Sequence, residues 1–191
     1  TQGVSSAASD VYKRQAIGDN ASQTGQKLEA ISIGYIAGYT NQGTQAVALG
    51  SNAGYLNQGT SAIAIGYQSG QTQQGQNTIS IGNQAGSSTQ GSAGIAIGFT
   101  AGQTAQTVNA IAIGVSAGQA TQGSGAIAIG LNAGDTAQTL NAIAIGIQAG
   151  SATQGSASIA IGINAGQTNQ TRNAIAIGVL AGAGTQGDTS I

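Results

Sequence analysis

The sequence predicts an all-β parallel β-solenoid, a β-roll of sixteen residues per coil and about ten coils. Three observations predict it. A sixteen-residue unit recurs without insertion from Ala30, Ala46, Ala62, Thr78, Gly94, Ala110, Ala126, Ala142, Ser158 and Ala174. Two glycines stand at fixed phase in every copy, and a four-residue apolar run alternates with period two. A short fixed period of this kind describes stacked rungs, each unable to bury its own apolar face.

The strand comes first in each unit. In the copy from Ala110 it reads Ala110-Ile111-Ala112-Ile113, where β-branched residues at alternate positions favour an extended conformation. Alternation sends Ile111 and Ile113 to one side and Ala110 and Ala112 to the other. A helix here would have to carry two glycines per repeat at a cost of about 1 kcal/mol each. Hairpins would need turn signals at both ends of two comparable strands, and each unit has only one strong strand.

The corners follow. Gly114, with its equivalents from Gly34 to Gly178, and Gly118, with its equivalents from Gly38 to Gly182, occur in all ten copies. Glycine at a fixed phase signals positive φ or a crowded backbone. With coils stacked at about 4.8 Å, ten would make a rod of about 48 Å. Columns then become ladders: Ile31, Val47, Ile63, Ile79, Ile95, Ile111 and Ile127 in one, and Ile33, Leu49, Ile65, Ile81, Ile97, Ile113 and Ile129 in the next. The expectation is that these ladders, with the small column through Ala37, Ala53, Ser69 and Ala117, form the core, each isoleucine contributing about 1.5–3 kcal/mol. The alternative of two repeats per coil draws support from Thr107-Val108-Asn109, Thr139-Leu140-Asn141 and Thr171-Arg172-Asn173 in every other repeat of the second half.

One polar column is as strict as the glycines: Gln42, Gln58, Gln74, Gln90, Gln106, Gln122, Gln138, Gln154, Gln170 and Gln186. Stacked glutamines form amide ladders, each bonding its neighbour, with a corner backbone group as a second partner. The competing reading is a ligand-binding row.

Composition narrows function. The chain has no Cys, His, Trp, Met or Pro, which removes serine–histidine triads, thiol chemistry and zinc sites. Within the repeats Asp19, Glu29, Asp135 and Asp188 stand against Lys27 and Arg172, a net charge of −2. The acids lie in different columns and make no catalytic pair. No basic stripe is present for nucleic acid, and no apolar run reaches the roughly 20 residues of a membrane span. The expectation is a non-enzyme without cofactor or metal. Gly182-Ala183-Gly184-Thr185-Gln186-Gly187 matches a dinucleotide-binding glycine pattern but has no following acidic partner. Asn20-Ala21-Ser22 and Asn169-Gln170-Thr171 match glycosylation acceptors and read as polar corners.

Residues 1–15 depart from the repeat. Asp10-Val11-Tyr12-Lys13-Arg14-Gln15 resembles the translated mosaic end of a transposon used to build sequencing libraries, so this stretch is read as a non-native leader. Residues 16–191 are read as a single repeat domain truncated at both ends.

The run Asn109-Ala110-Ile111-Ala112-Ile113-Gly114, followed by Ala117, resembles the head repeat of trimeric autotransporter adhesins of the YadA type. It is also similar to repeats of phage and giant-virus fibres. The family's rung is usually shorter and lacks the Ala-Gly-x-x-x-Gln segment. The resemblance implies a left-handed β-roll and a homotrimer with no enzymatic residues. It also implies an extracellular or virion-surface location and binding to host surface or matrix.

Two alternatives stand beside the fibre or adhesin. The alanines Ala110, Ala112, Ala126, Ala128, Ala142 and Ala144 are expected to face outward as a flat apolar surface, suited to an oligomer seam or to ice binding. Against ice, the threonines zigzag between the column of Thr104 and that of Thr121. Unpaired strand edges would also allow end-to-end assembly into a fibril. The column Tyr35, Tyr67, Phe99, Val115, Leu131, Ile147, Ile163 and Val179 either faces outward, as a seam, or enlarges the core.

Overall fold

The computed structural model describes residues 13–191, and residues 1–12, most of the expected leader, lie outside them. The chain winds as a parallel β-solenoid with one sixteen-residue repeat per coil: Ile95, Ile111, Ile127 and Ile143 are successive register partners. The reading of two repeats per coil is thereby replaced. Each coil contributes one strand to each of two sheets. The isoleucine sheet has eleven strands, from Gln15–Ile17 to Ile175–Ile177, and the glutamine sheet has ten, from Thr40–Gln42 to Thr185–Gln186. Gln15 begins the first strand in register with Ile31.

Corners join the strands. Gly114 has φ +131°, and a Cβ there would stand 2.6 Å from the carbonyl oxygen of Gly130 in the next coil. Any side chain would push two coils apart. Gly118 has φ +52°, and its Cβ would lie 2.9 Å from Gln122 Oε1. Between them, the column of Ser116 adopts the same left-handed conformation with ordinary residues, among them Ile36 at φ 54°, Asn52 at φ 57° and Asn132 at φ 54°. Asparagine visits this region readily, whereas a β-branched residue does so at a cost.

The interior reverses the expected packing. Ala110, Ala112, Ala126, Ala128, Ala142 and Ala144 have no accessible surface, and neither have Ala117 and Ala133. The expected outward alanine face is therefore the core. Ile111, Ile113, Ile127 and Ile129 lie on the outside, partly covered only by their ladder neighbours. The reason is depth: the space between the sheets holds alanine methyls and one glutamine side chain per coil. Isoleucines turned inward would separate the sheets beyond the reach of that glutamine.

The alternation in the second half has a packing basis. Gly91, Gly123 and Gly155 donate to the glutamine carbonyl of the following coil at 2.6 Å. A Cβ on Gly123 would sit 2.5 Å from the carbonyl carbon of Thr139. Thr107, Thr139 and Thr171, in the same column, stand off at 3.0–3.1 Å and donate their hydroxyls to those carbonyls as well. Glycine rungs dip where threonine rungs bulge.

Candidate functional surface

The strict glutamines are interior. Gln122 Nε2 donates to the Ile111 carbonyl at 2.6 Å, to the Ala126 carbonyl at 3.2 Å and to Gln138 Oε1 at 3.2 Å. Gln106 and Gln138 repeat the arrangement. The amide ladder continues from Gln74 to Gln186. Its backbone partners are strand and strand-entry carbonyls. Buried in this way, the column presents no row to a ligand.

The ladder is interrupted near its start, where Gln58 Oε1 and Gln74 Oε1 are buried and accept no hydrogen bond. Serines occupy alanine positions on both sides of the break. Ser32 Oγ donates to Gln42 Oε1 at 2.7 Å, and Ser80 Oγ donates to Gln90 Oε1 at 2.6 Å. Ser69 Oγ turns to the Ser80 carbonyl at 2.7 Å.

The two outer faces differ sharply. On the isoleucine sheet three columns project, those of Ile111, Ile113 and Val115. Ile81, Ile113, Ile145 and Ile161 are each 36% exposed, and Leu131, Ile147 and Ile163 are each 45% exposed. The column whose direction the sequence left open thus points outward, with Tyr35, Tyr67 and Phe99 at its N-terminal end. Across all ten copies these three columns hold no charged residue. The glutamine sheet projects Asn41, Asn57, Gln73, Thr89, Thr121, Thr153, Asn169 and Thr185, interrupted by Ala105 and Ala137. That face is polar.

The corners add smaller features. A second glutamine ladder runs outside the coil through Gln68, Gln84, Gln103 and Gln119, with amide bonds of 3.0–3.2 Å. Tyr39 and Tyr55 stack with ring centroids 5.2 Å apart. Partial burial raises the Asp135 carboxyl above its ordinary value. Among the described residues, no three of His, Cys, Asp and Glu come together. No helix there is long and apolar enough to cross a membrane. Thr185–Gln186, inside the dinucleotide-like glycine pattern, is a strand with no helix after it.

Comparison with known protein families, curated proteins and solved structures gives no match. The class that the geometry defines is a tandem-repeat β-solenoid whose most distinctive surface is an uncharged isoleucine sheet.

Proposed function

We propose that this chain is a structural rod segment of an extracellular or virion-surface fibre. In this reading it carries no chemistry of its own and serves attachment to a host surface or matrix. One observation carries the reading: coil follows coil in unbroken parallel register along both sheets, from Ile31 to Ile177 and from Thr89 to Gln186. Such an object has length and repeated surface as its main properties. The resemblance to adhesin head and fibre repeats points the same way. Ice binding has lost its supporting feature, since the alanines are interior and the exposed threonines alternate with other residues.

Negative-stain microscopy, with retention on surfaces coated with extracellular matrix or host cell membrane, tests the proposal. Discrete rods of about 50 Å that are retained support it. Rods that bind neither surface leave a spacer without adhesive activity. Long filaments favour end-to-end assembly, and compact particles overturn the rod.

A further inference from the structure

A sheet face with two half-exposed aliphatic columns, bordered by a third that is aliphatic from Val115 to Val179, is unusual on a monomer. Contiguous exposed apolar patches beyond a few hundred Å² mark interaction sites. Ten rungs at about 4.8 Å, and about 12 Å across the paired isoleucine columns of the strand with their side chains, give roughly 600 Å². Covering the face with an equal one would bury about 1,200 Å² in total, above the roughly 1,000 Å² that a specific interface needs.

Three observations select the occupant. From Ile31 to Val179 the face holds no charge, its one acid being Asp19 beside the first strand, so along ten rungs no like charges oppose stacking. Its isoleucine rows repeat at one rung per step with no change of register, so the surface best matched to its ridges and grooves is another copy of itself. Isoleucine is stiff about χ1, and partly fixed already by its ladder neighbours, so stacking orders little more.

We propose that the isoleucine sheet of one chain stacks face to face on the isoleucine sheet of a second copy, making a closed pair. This rests on the reading of the chain as a rod. Closure at two follows from there being one apolar face. An isologous contact uses the same patch on both partners and leaves the polar Thr121 face outward.

Sedimentation velocity and light scattering on the full chain test the pair, with small-angle scattering reporting shape. The expected mass is twice the 18.3 kDa of one chain. Substituting Ile113→Lys, Ile129→Lys and Ile145→Lys together should weaken pairing by roughly a hundredfold or more, because desolvating three ammonium groups is costly. Thr121→Lys with Thr153→Lys, on the opposite face, should leave it unchanged. Should the lysine triple fail to fold by circular dichroism, Ile→Thr at the same three positions keeps the β-branched shape and should still weaken the pair. A monomeric wild type, a trimer, or a pair untouched by the isoleucine changes overturns the proposal. A monomer that scatters as a rod means that pairing alone has failed, whereas a compact monomer removes the rod reading beneath it.

Discussion

Gln122 donates from Nε2 to the carbonyl oxygen of Ile111 at 2.6 Å, bridging the two strands of one coil through its interior. The same nitrogen donates to Gln138 Oε1 in the next coil. One amide therefore closes its own rung and ties that rung to the next. The Ala126 carbonyl it also bonds already accepts the Ile111 N–H, so the group with most to lose is the buried amide itself, and leaving it without partners would cost more than the bonds contribute.

Replacing Gln138 with leucine should destabilise the fold by about 1–3 kcal/mol. It removes the bonds to the Ile127 and Ala142 carbonyls and takes an acceptor from Gln122. Gln58→Leu should cost less, because Gln58 Oε1 accepts no bond in the folded chain. Urea unfolding of both variants checks the order, and equal losses would contradict a ladder broken at Gln58.

Inside and outside can be told apart by size. Ala112→Val and Ala128→Val add methyls to a filled interior and should cost about 1–3 kcal/mol each. Ile113→Val, at a position more than a third exposed, should cost under about 0.5 kcal/mol. Thermal melts of the three proteins at one low concentration decide this. Tolerated valines at 112 and 128 would return the alanines to the surface.

Ile36 holds φ 54° in a column where Asn52, Asn132 and Asn164 hold φ 54–57°. Ile36→Asn should stabilise the chain by about 1 kcal/mol, through relief of a conformation that a β-branched residue resists. The melting temperature should rise. A fall would mean that packing of the isoleucine side chain outweighs its backbone strain.

Asp135 is held above its ordinary carboxylate value by desolvation. Its ionised form is therefore less favourable in the folded chain than in the unfolded one. Stability should rise as pH falls from neutral through the folded pKa, and this gain is complete below the unfolded pKa. Asp135→Asn should stabilise at neutral pH, by no more than about 0.5 kcal/mol because the group is still partly solvated. That advantage should shrink on acidification. Denaturant titrations at neutral and acid pH measure it, and a constant difference would assign the effect to something other than ionisation.

The periodic features of this fold are plain in the sequence because stacking imposes them on every copy. Gly114 marks a corner, the Ile111 run marks a strand, and sixteen residues mark a coil. Direction is harder to read. Alternation separates Ile111 from Ala112 without saying which faces in, and ranking by hydrophobicity alone turns isoleucine inward. The signal that settles it is a ceiling on volume. Across the ten copies the column of Ala110 admits Thr78, Gly94 and Ser158, and that of Ala112 admits Ser32 and Ser80, but neither accepts anything larger. The column of Ile113 accepts leucine at Leu49, and that of Val115 runs from serine to tyrosine. Small residues without exception indicate confinement. The glutamine column was legible as a ladder for the same reason, but its reach to the Ile111 carbonyl depends on how closely the sheets approach, which no single column reports.

The pairing of dipping glycine rungs with bulging threonine rungs bears on how such a chain lengthens. Removing or duplicating sixteen residues in the first half joins like to like, since Gly43, Gly59 and Gly75 are interchangeable in their column. Beyond Thr107 a single-unit slip that removes a glycine rung would set bulge against bulge, whereas a slip of thirty-two residues, two such units, preserves the alternation. Unequal recombination would therefore extend this molecule freely in single steps at one end, and at the other only in steps that keep threonine rungs apart.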